Sequence, residues 1–329
     1  MRSRLFLITV VILLAAIGSV GWAWWDLHRP APLPAGGAML SVNEGEPFRA
    51  TTEKLGSAGI VRHPLLLHWY ARWSGTDRLI QTGDYRFLEP VSPVQVLETL
   101  RTAAMSLNRV TIPEGLTVKQ IAAQLEAAGF GGSDEYVCAA QDTGFLKEVG
   151  APPTGLEGYL FPDTYAFPMR TAPRDILRTM VKRAREQLDT LNEERSNSSL
   201  SEIETLTLAS IVEKETGVAP ERGLVSSVFH NRMRVGMRLQ SDPTAVYGWK
   251  DGPPTAADLK IDSPYNTYVY QGLPPGPICN PGLAAIRAAL VPASTPYFFF
   301  VARPDGTHEF STTLDEHNRA VSVLRRSGG

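Results

Sequence analysis

Uncharged and mostly apolar residues run without a break from Leu5 to Trp25, and roughly 20 apolar residues is the length of a helix that crosses a bilayer. Arg2 and Arg4 stand before the run, and Trp22, Trp24 and Trp25 close it. Positive charge favours the cytoplasmic side and tryptophan the lipid–water interface. A cleaved signal peptide has a shorter apolar core, about 7 to 15 residues, followed by small residues; this run is longer and ends in bulky rings. The pattern predicts a single-pass anchor with its N-terminus inside and the rest of the chain exported. His28 to Gly37, HRPAPLPAGG, is rich in proline, alanine and glycine and reads as a spacer from the membrane surface.

Beyond the spacer, VNEGEPFRATTEKLGSAGIV from Val42 and TIPEGLTVKQIAAQLEAAGF from Thr111 align without a gap at a constant offset of 70. Glu44 and Gly45 match Glu114 and Gly115, while Leu55, Ala58 and Gly59 match Leu125, Ala128 and Gly129. The agreement points to an internal duplication. Each copy predicts a strand, a turn at the Glu-Gly pair and a helix closed by glycine, the residue that adopts a left-handed cap at least cost. Val118, Ile121, Ala122 and Leu125 fall on one helical face. Between the copies, HPLLLHWYARWSG predicts a helix and TGDYRFL a strand, with His63 and His68 in or beside a small core. From Ala151, APPTGLEGYLFPDTYAFP is dense in proline, glycine and aromatics and predicts an ordered but irregular connection. An amphipathic helix follows from about Arg174 to Leu191, with Ile176, Met180 and Val181 on one side. The polar LNEERSNSSLS marks a boundary.

The next helix is nearly all apolar, TLTLASIVEKETG from Thr205 to Gly217. Ser199 and Glu202 have the spacing of a capping box at its start, and Gly217 ends it. Pro220 and Glu221 open a second helix through Val225, Val228, Phe229 and Met233 to Gly236. The hairpin so formed carries Glu213 and Glu215, two residues apart and therefore about 200° apart around the axis, so they cannot face one bond as an acid/base pair. Periodicity does not choose between them, because each shares its side with apolar neighbours. A carboxyl group seated against apolar surface holds its proton more tightly, which is what a general acid needs. Farther on, Tyr297 to Arg303 and His308 to Ser311, separated by Pro304, Asp305 and Gly306, predict a β-hairpin.

Composition excludes more than it assigns. The chain has 329 residues, 43% hydrophobic and 20% charged, with a formal net charge of −2. This is ordinary for a globular protein and offers no electrostatic ground for a nucleic-acid partner. Cys138 and Cys279 lie far apart and form no metal-binding spacing; export permits a disulfide, but unpaired buried thiols are expected. His308 and His317 lack a third ligand at suitable spacing, so neither a metal nor a cofactor is expected.

ASIVEKETG, HNRMRVGMRLQSDPTAVYG, SPYNTYVYQGLPPGPICNPG, YFFFVAR and HEFSTTLDEHN, with GDYRF and EGYLFPDTY upstream, resemble the endolytic murein transglycosylases of the YceG-like family. The resemblance covers nearly the whole chain. It implies an α+β protein with an N-terminal transmembrane helix, two small LysM-like strand-helix units and a C-terminal mixed α+β catalytic domain. The corresponding boundaries are 1–37 for cytoplasmic tip, anchor and spacer, 38–104 and 105–195 for the two units, and 196–329 for the catalytic domain. It further implies an enzyme of the inner membrane, its catalytic domain periplasmic, that cuts glycan strands internally between N-acetylmuramic acid and N-acetylglucosamine. The family's catalytic glutamate corresponds to Glu215, leaving Glu213 to pair with a basic residue such as Arg222 or Arg232. Gln240, Ser241, Asp242 and Thr244, with Tyr265, Asn266 and Tyr268, are the implied substrate residues; Asp242 and Asn266 are alternatively plain turn formers. Peptidoglycan is the implied partner, together with the synthases that make it. Two other readings stand beside this one. A second carboxylate at Asp242 would suit a hydrolytic muramidase, and the LysM-like pattern would suit a noncatalytic glycan-binding scaffold.

Overall fold

The computed structural model describes residues 2–43, 45–102, 107–168, 171–250 and 252–327, so Glu44 of the first Glu-Gly pair lies outside the described residues. Close contacts divide the chain into two compact units, Met1–Asn108 with Ala166–Arg170, and Arg109–Tyr165 with Thr171–Gly329.

The first unit comprises helix α1 (Arg2–His28), strand β1 (Ala38–Val42), helices α2 (Phe48–Ser57) and α3 (Pro64–Ser74), strand β2 (Gly83–Phe87) and helix α4 (Pro93–Arg101). β1 and β2 pair antiparallel with Leu40 opposite Tyr85. Alternation puts Ala38, Leu40 and Val42 inward, where they meet Leu55, Leu67, Tyr85, Val96 and Leu100, all fully buried. The apolar segment Ile8–His28 is long and apolar enough to cross a membrane. Its last turn belongs to this core: Leu27 is 4% exposed, and the buried Asp26 bonds the His63 ring at 2.9 Å. The spacer expected after the anchor is not a free linker. Ala31 bridges to Val91 and is buried, Leu33 packs on the core, and the Gly37 N–H donates to the Pro34 carbonyl. Prolines with preset φ make such a segment inexpensive to fix.

The second unit begins within strand β3 (Leu107–Thr111), which pairs with β4 (Thr164–Pro168), and the division between the units falls inside these two strands. Its helices are α5 (Val118–Ala127), α6 (Ser133–Ala139), α7 (Thr143–Glu148), α8 (Pro173–Asp189), α9 (Asn192–Asn197), α10 (Glu202–Glu215), α11 (Arg222–Arg234), α12 (Asp242–Val246), α13 (Leu283–Leu290) and α14 (Leu314–Ser327). β5 (Phe299–Ala302) and β6 (His308–Ser311) form the expected antiparallel hairpin. Every residue of α10 from Thr205 to Val212 is buried, as in a core helix, and it packs against α13 and α11.

The duplicated segments fold alike. α2 and α5 have the same offset as the sequence match, and Gly59 and Gly129 take φ of 71° and 85°. In both copies the residue after the glycine donates five residues back, Ile60 to Leu55 and Phe130 to Leu125, each at 3.0 Å. That is a Schellman closure. The copies differ at their starts: Thr117 and Gln120 form a reciprocal capping box, whereas Pro47 supplies no side-chain cap.

Four local expectations need correction. The capping box before α10 is Ser201 with Glu204, not Ser199 with Glu202, because the chain is still extended at Ser198 and turns into helix only after Ser201. α10 stops at Glu215, two residues before Gly217, where Thr216 goes extended. Residues 164–168 are a strand rather than irregular, since pairing with β3 overrides their Pro-rich context. The polar stretch read as a boundary folds as α9 inside the second unit.

Candidate active site

Glu213 and Glu215 have different surroundings on α10. Glu213 and Glu215 leave opposite sides of the helix, as their angular separation requires. The Glu213 side chain is 7% exposed, accepts the Gly282 N–H at 2.9 Å and pairs with Arg222 at 3.4 Å. The Glu114 carboxyl group also lies against Gly282, where an added Cβ would make it swing aside. Glu213 is thus tied into the fold. Glu215, at the last helical position, is half-buried and opens on two cavities of about 350 and 400 Å³.

A loop from α11 presents a hydroxyl to Glu215. Arg232, buried in α11, donates from Nη1 to the Leu239 carbonyl at 2.6 Å and from Nε to the Phe298 carbonyl at 2.7 Å. Gln240 then takes φ of 48°, the left-handed region that non-glycine residues seldom enter. Its N–H bonds the Thr267 carbonyl, and the Ser241 N–H bonds Thr267 Oγ1 at 2.9 Å. With the backbone so held, Ser241 Oγ donates to Glu215 Oε1 at 2.6 Å. The distorted residue therefore precedes the one that touches the carboxyl group.

Burial pushes the Glu215 carboxyl up to about 7 and dominates the Ser241 hydrogen bond, which pulls it down; neighbouring Asp242 raises it further, while the Asp242 backbone and Arg232 lower it. A carboxylic acid with this environment keeps a proton at neutral pH that a solvated one would have lost. Asp242 lines both cavities beside Glu215 and accepts the Tyr268 hydroxyl at 2.6 Å. Burial, and then Asp242, push the Tyr268 phenol up, so it remains a donor.

The expected substrate residues separate into four groups. Gln240, Asp242 and Tyr268 line the 400 Å³ cavity. Ser241 is buried and spends its hydroxyl on Glu215. Thr244 and Asn266 are fully buried and bond within the fold: Thr244 Oγ1 bonds Ser241 and Thr267, while Asn266 donates to the Leu259 and Ile261 carbonyls and accepts the Tyr268 N–H. Both shape the loops, the turn-former alternative in the case of Asn266. Tyr265 packs its ring on Tyr247 at 4.6 Å. His308 pairs with Glu221 at 2.7 Å and His317 stacks on Phe299. Both cysteines are free; Cys279 is buried against the Ser210 carbonyl, but Cys138 is exposed, against expectation.

Sequence reasoning missed Glu157. It is half-buried, accepts from the Val118 N–H, Asn280 Nδ2 and Tyr247 hydroxyl at 2.8 to 3.0 Å, and is pushed by burial up to about 7. Tyr247 lines both the 350 Å³ cavity and a neighbouring one of about 320 Å³ that Glu157 reaches. The three cavities form a series, with Glu215 and Asp242 shared by the first pair and Tyr247 and Lys250 by the second. No periodic signal marks Glu157, because its partners Val118, Tyr247 and Asn280 come from three separate segments.

The chain is similar to known proteins in sequence and fold. The chain is 31% identical to an endolytic murein transglycosylase of Bacillus subtilis, over 85% of this chain and 83% of the relative. It is 29% identical to an endolytic murein transglycosylase of Streptococcus pneumoniae, over 97% of this chain and 65% of the relative. A yceG-like protein of Listeria monocytogenes superposes with a TM-score of 0.61 at 29% identity, covering 86% of this chain and 98% of that one. The YceG-like family model matches residues 40–323, and the chain belongs to the YceG-like family.

Proposed function

We propose that this protein is an endolytic lytic transglycosylase of peptidoglycan, with Glu215 as its catalytic acid and base. The observation that carries this reading is the Glu215 carboxyl group at the junction of two cavities, oriented by Ser241 and raised by burial to about 7. Protonated Glu215 gives its proton to the glycosidic oxygen as the bond from C1 of N-acetylmuramic acid to that oxygen breaks. The carboxylate left behind takes the proton of the same sugar's 6-hydroxyl as its oxygen bonds C1, leaving a 1,6-anhydro end and a free 4-hydroxyl on N-acetylglucosamine. One group acts in both halves of the step, and the tethered hydroxyl supplies the usual advantage of intramolecular attack. Gln240 and Tyr268 are the cavity residues suited to orient sugar hydroxyl and acetamido groups.

Asp242 supports a second reading. Inverting and retaining glycosidases use two carboxyl groups across the bond, and Asp242 shares both cavities with Glu215. Digestion of purified glycan strands by the full chain and by Glu215→Gln separates the readings. Anhydro ends from the parent alone support transglycosylation, whereas reducing ends, heavier by one water, reject it in favour of hydrolysis. Undiminished cutting by Glu215→Gln removes Glu215 from the chemistry.

The apolar Ile8–His28 helix supports a single inner-membrane anchor with the enzyme on the periplasmic side. Cutting there would end elongation of nascent strands as the synthases release them. The strand-helix-helix-strand order of β1, α2, α3 and β2 supports a LysM-like, glycan-contacting role for the first of the repeated units.

A further inference from the structure

The outward face of α3 is apolar. Leu65, Trp69 and Trp73 stand at every fourth position and are 64, 65 and 83% exposed, so they form one stripe along the helix. Leu67 and Ala71 occupy the opposite, fully buried face. Helices of soluble domains turn their polar face outward; this one turns two tryptophans outward, with Arg72 beside them.

α3 also begins at a fixed place relative to α1. His63, immediately before its first residue, bonds Asp26 at 2.9 Å and sets its ring against Trp22, with centroids 5.2 Å apart. The neighbouring Arg62 donates to the Pro30 carbonyl. Leu27 lies in the core that Leu67 and Ala71 complete, so no flexible spacer separates the apolar helix from α3. Trp22, Trp24 and Trp25 are half or more exposed at the end of the apolar run, the position of an interfacial aromatic belt. The start of α3 is thereby held at the depth of that belt.

We propose that the Leu65, Trp69 and Trp73 face of α3 is a membrane-docking surface, seated in the outer head-group region of the bilayer that α1 crosses. The occupant is lipid, because α3 starts against the anchor's own interfacial residues Trp22 and Asp26 and the stripe's composition, large apolar rings flanked by arginine, is that of a helix lying in the lipid–water boundary. Docking would hold the first unit against the membrane instead of letting it swing from α1. The inference rests on α1 spanning the bilayer.

The test uses the full chain in nanodiscs of zwitterionic and anionic phospholipid, with or without chains brominated near the head-group end. Replacing Trp22, Trp24, Trp25 and Trp249 by phenylalanine leaves Trp69 and Trp73 as the emitters; replacing Trp69, Trp73 and Trp249 leaves the anchor's three. The expected result is blue-shifted emission from Trp69 and Trp73, quenched about twofold or more by brominated lipid, as for rings in the interface. Water-exposed emission from Trp69 and Trp73 without quenching, while the anchor tryptophans are quenched, overturns docking and leaves the anchor standing. If neither set is quenched, the spanning reading fails and docking with it. If lipid leaves Trp69 and Trp73 unchanged but soluble glycan strands shift them, the stripe is a sugar platform and docking is rejected.

Discussion

At the scale of single residues, Glu215 couples activity and stability to pH in opposite senses to an ordinary carboxylate. Folded Glu215 holds its proton up to about 7, against 4.5 for the solvated group. Activity that needs the protonated acid is therefore expected to fall as pH rises through about 7, which a pH profile of kcat on glycan strands will register. The unfolded chain releases this proton earlier, so stability falls between the two values and levels off above them. Glu215→Gln should remove that slope, gaining at most about 3 kcal/mol at pH 8 in urea titrations, with solvent access to the cavity reducing the figure. The same substitution should lower kcat by at least about 100-fold. Ser241→Ala makes a separate prediction. Because the Ser241 hydroxyl lowers the Glu215 pKa, its loss should move the alkaline limb of the kcat profile upward and reduce kcat through poorer orientation. An unmoved limb would show that the 2.6 Å bond does not persist during turnover.

At the scale of elements, the helix closures are where the chain tolerates least change. Gly59 and Gly129 sit at positive φ in matching Schellman turns, and a Cβ in that conformation costs about 1 to 2 kcal/mol. Gly129→Ala should lower the stability of the second unit by about that amount in chemical denaturation. Gly282→Ala should cost less than Gly129→Ala, since Gly282 has an ordinary negative φ and its Cβ would meet only the movable end of the Glu114 side chain. These elements were readable in advance because their signals are local. The glycine-closed repeats, the β-hairpin and the α10 to α11 hairpin follow from periodicity and caps within each segment. Element ends were less legible: Ser199 and Ser201 both offer capping spacing with Glu202 and Glu204, and only the realised backbone chooses. β4 escaped notice because its partner strand lies far away in the chain.

At the scale of the whole molecule, the sequence alone determined the apolar N-terminal helix, the duplicated strand-helix units, the helical hairpin carrying EKET and membership of a family through long contiguous motifs. All of these depend on residues near one another in the chain, where spacing dictates helix face, cap or turn. It also narrowed the acid to Glu213 or Glu215 and ruled out their acting as a facing pair, because helix geometry sets that angle. Tertiary structure decided the remainder. Glu213 turned toward Arg222 and Gly282, and Glu215 toward Ser241 and the cavities. Thr244 and Asn266 were withdrawn into the loop framework, and Glu157 was assembled into a buried hydrogen-bonded centre. The residues that followed the anchor became part of a core, and α3 was left with its tryptophans outward. The physical reason is common to these cases: burial and hydrogen-bond satisfaction depend on which distant segments meet, and a pattern along one segment does not contain that information.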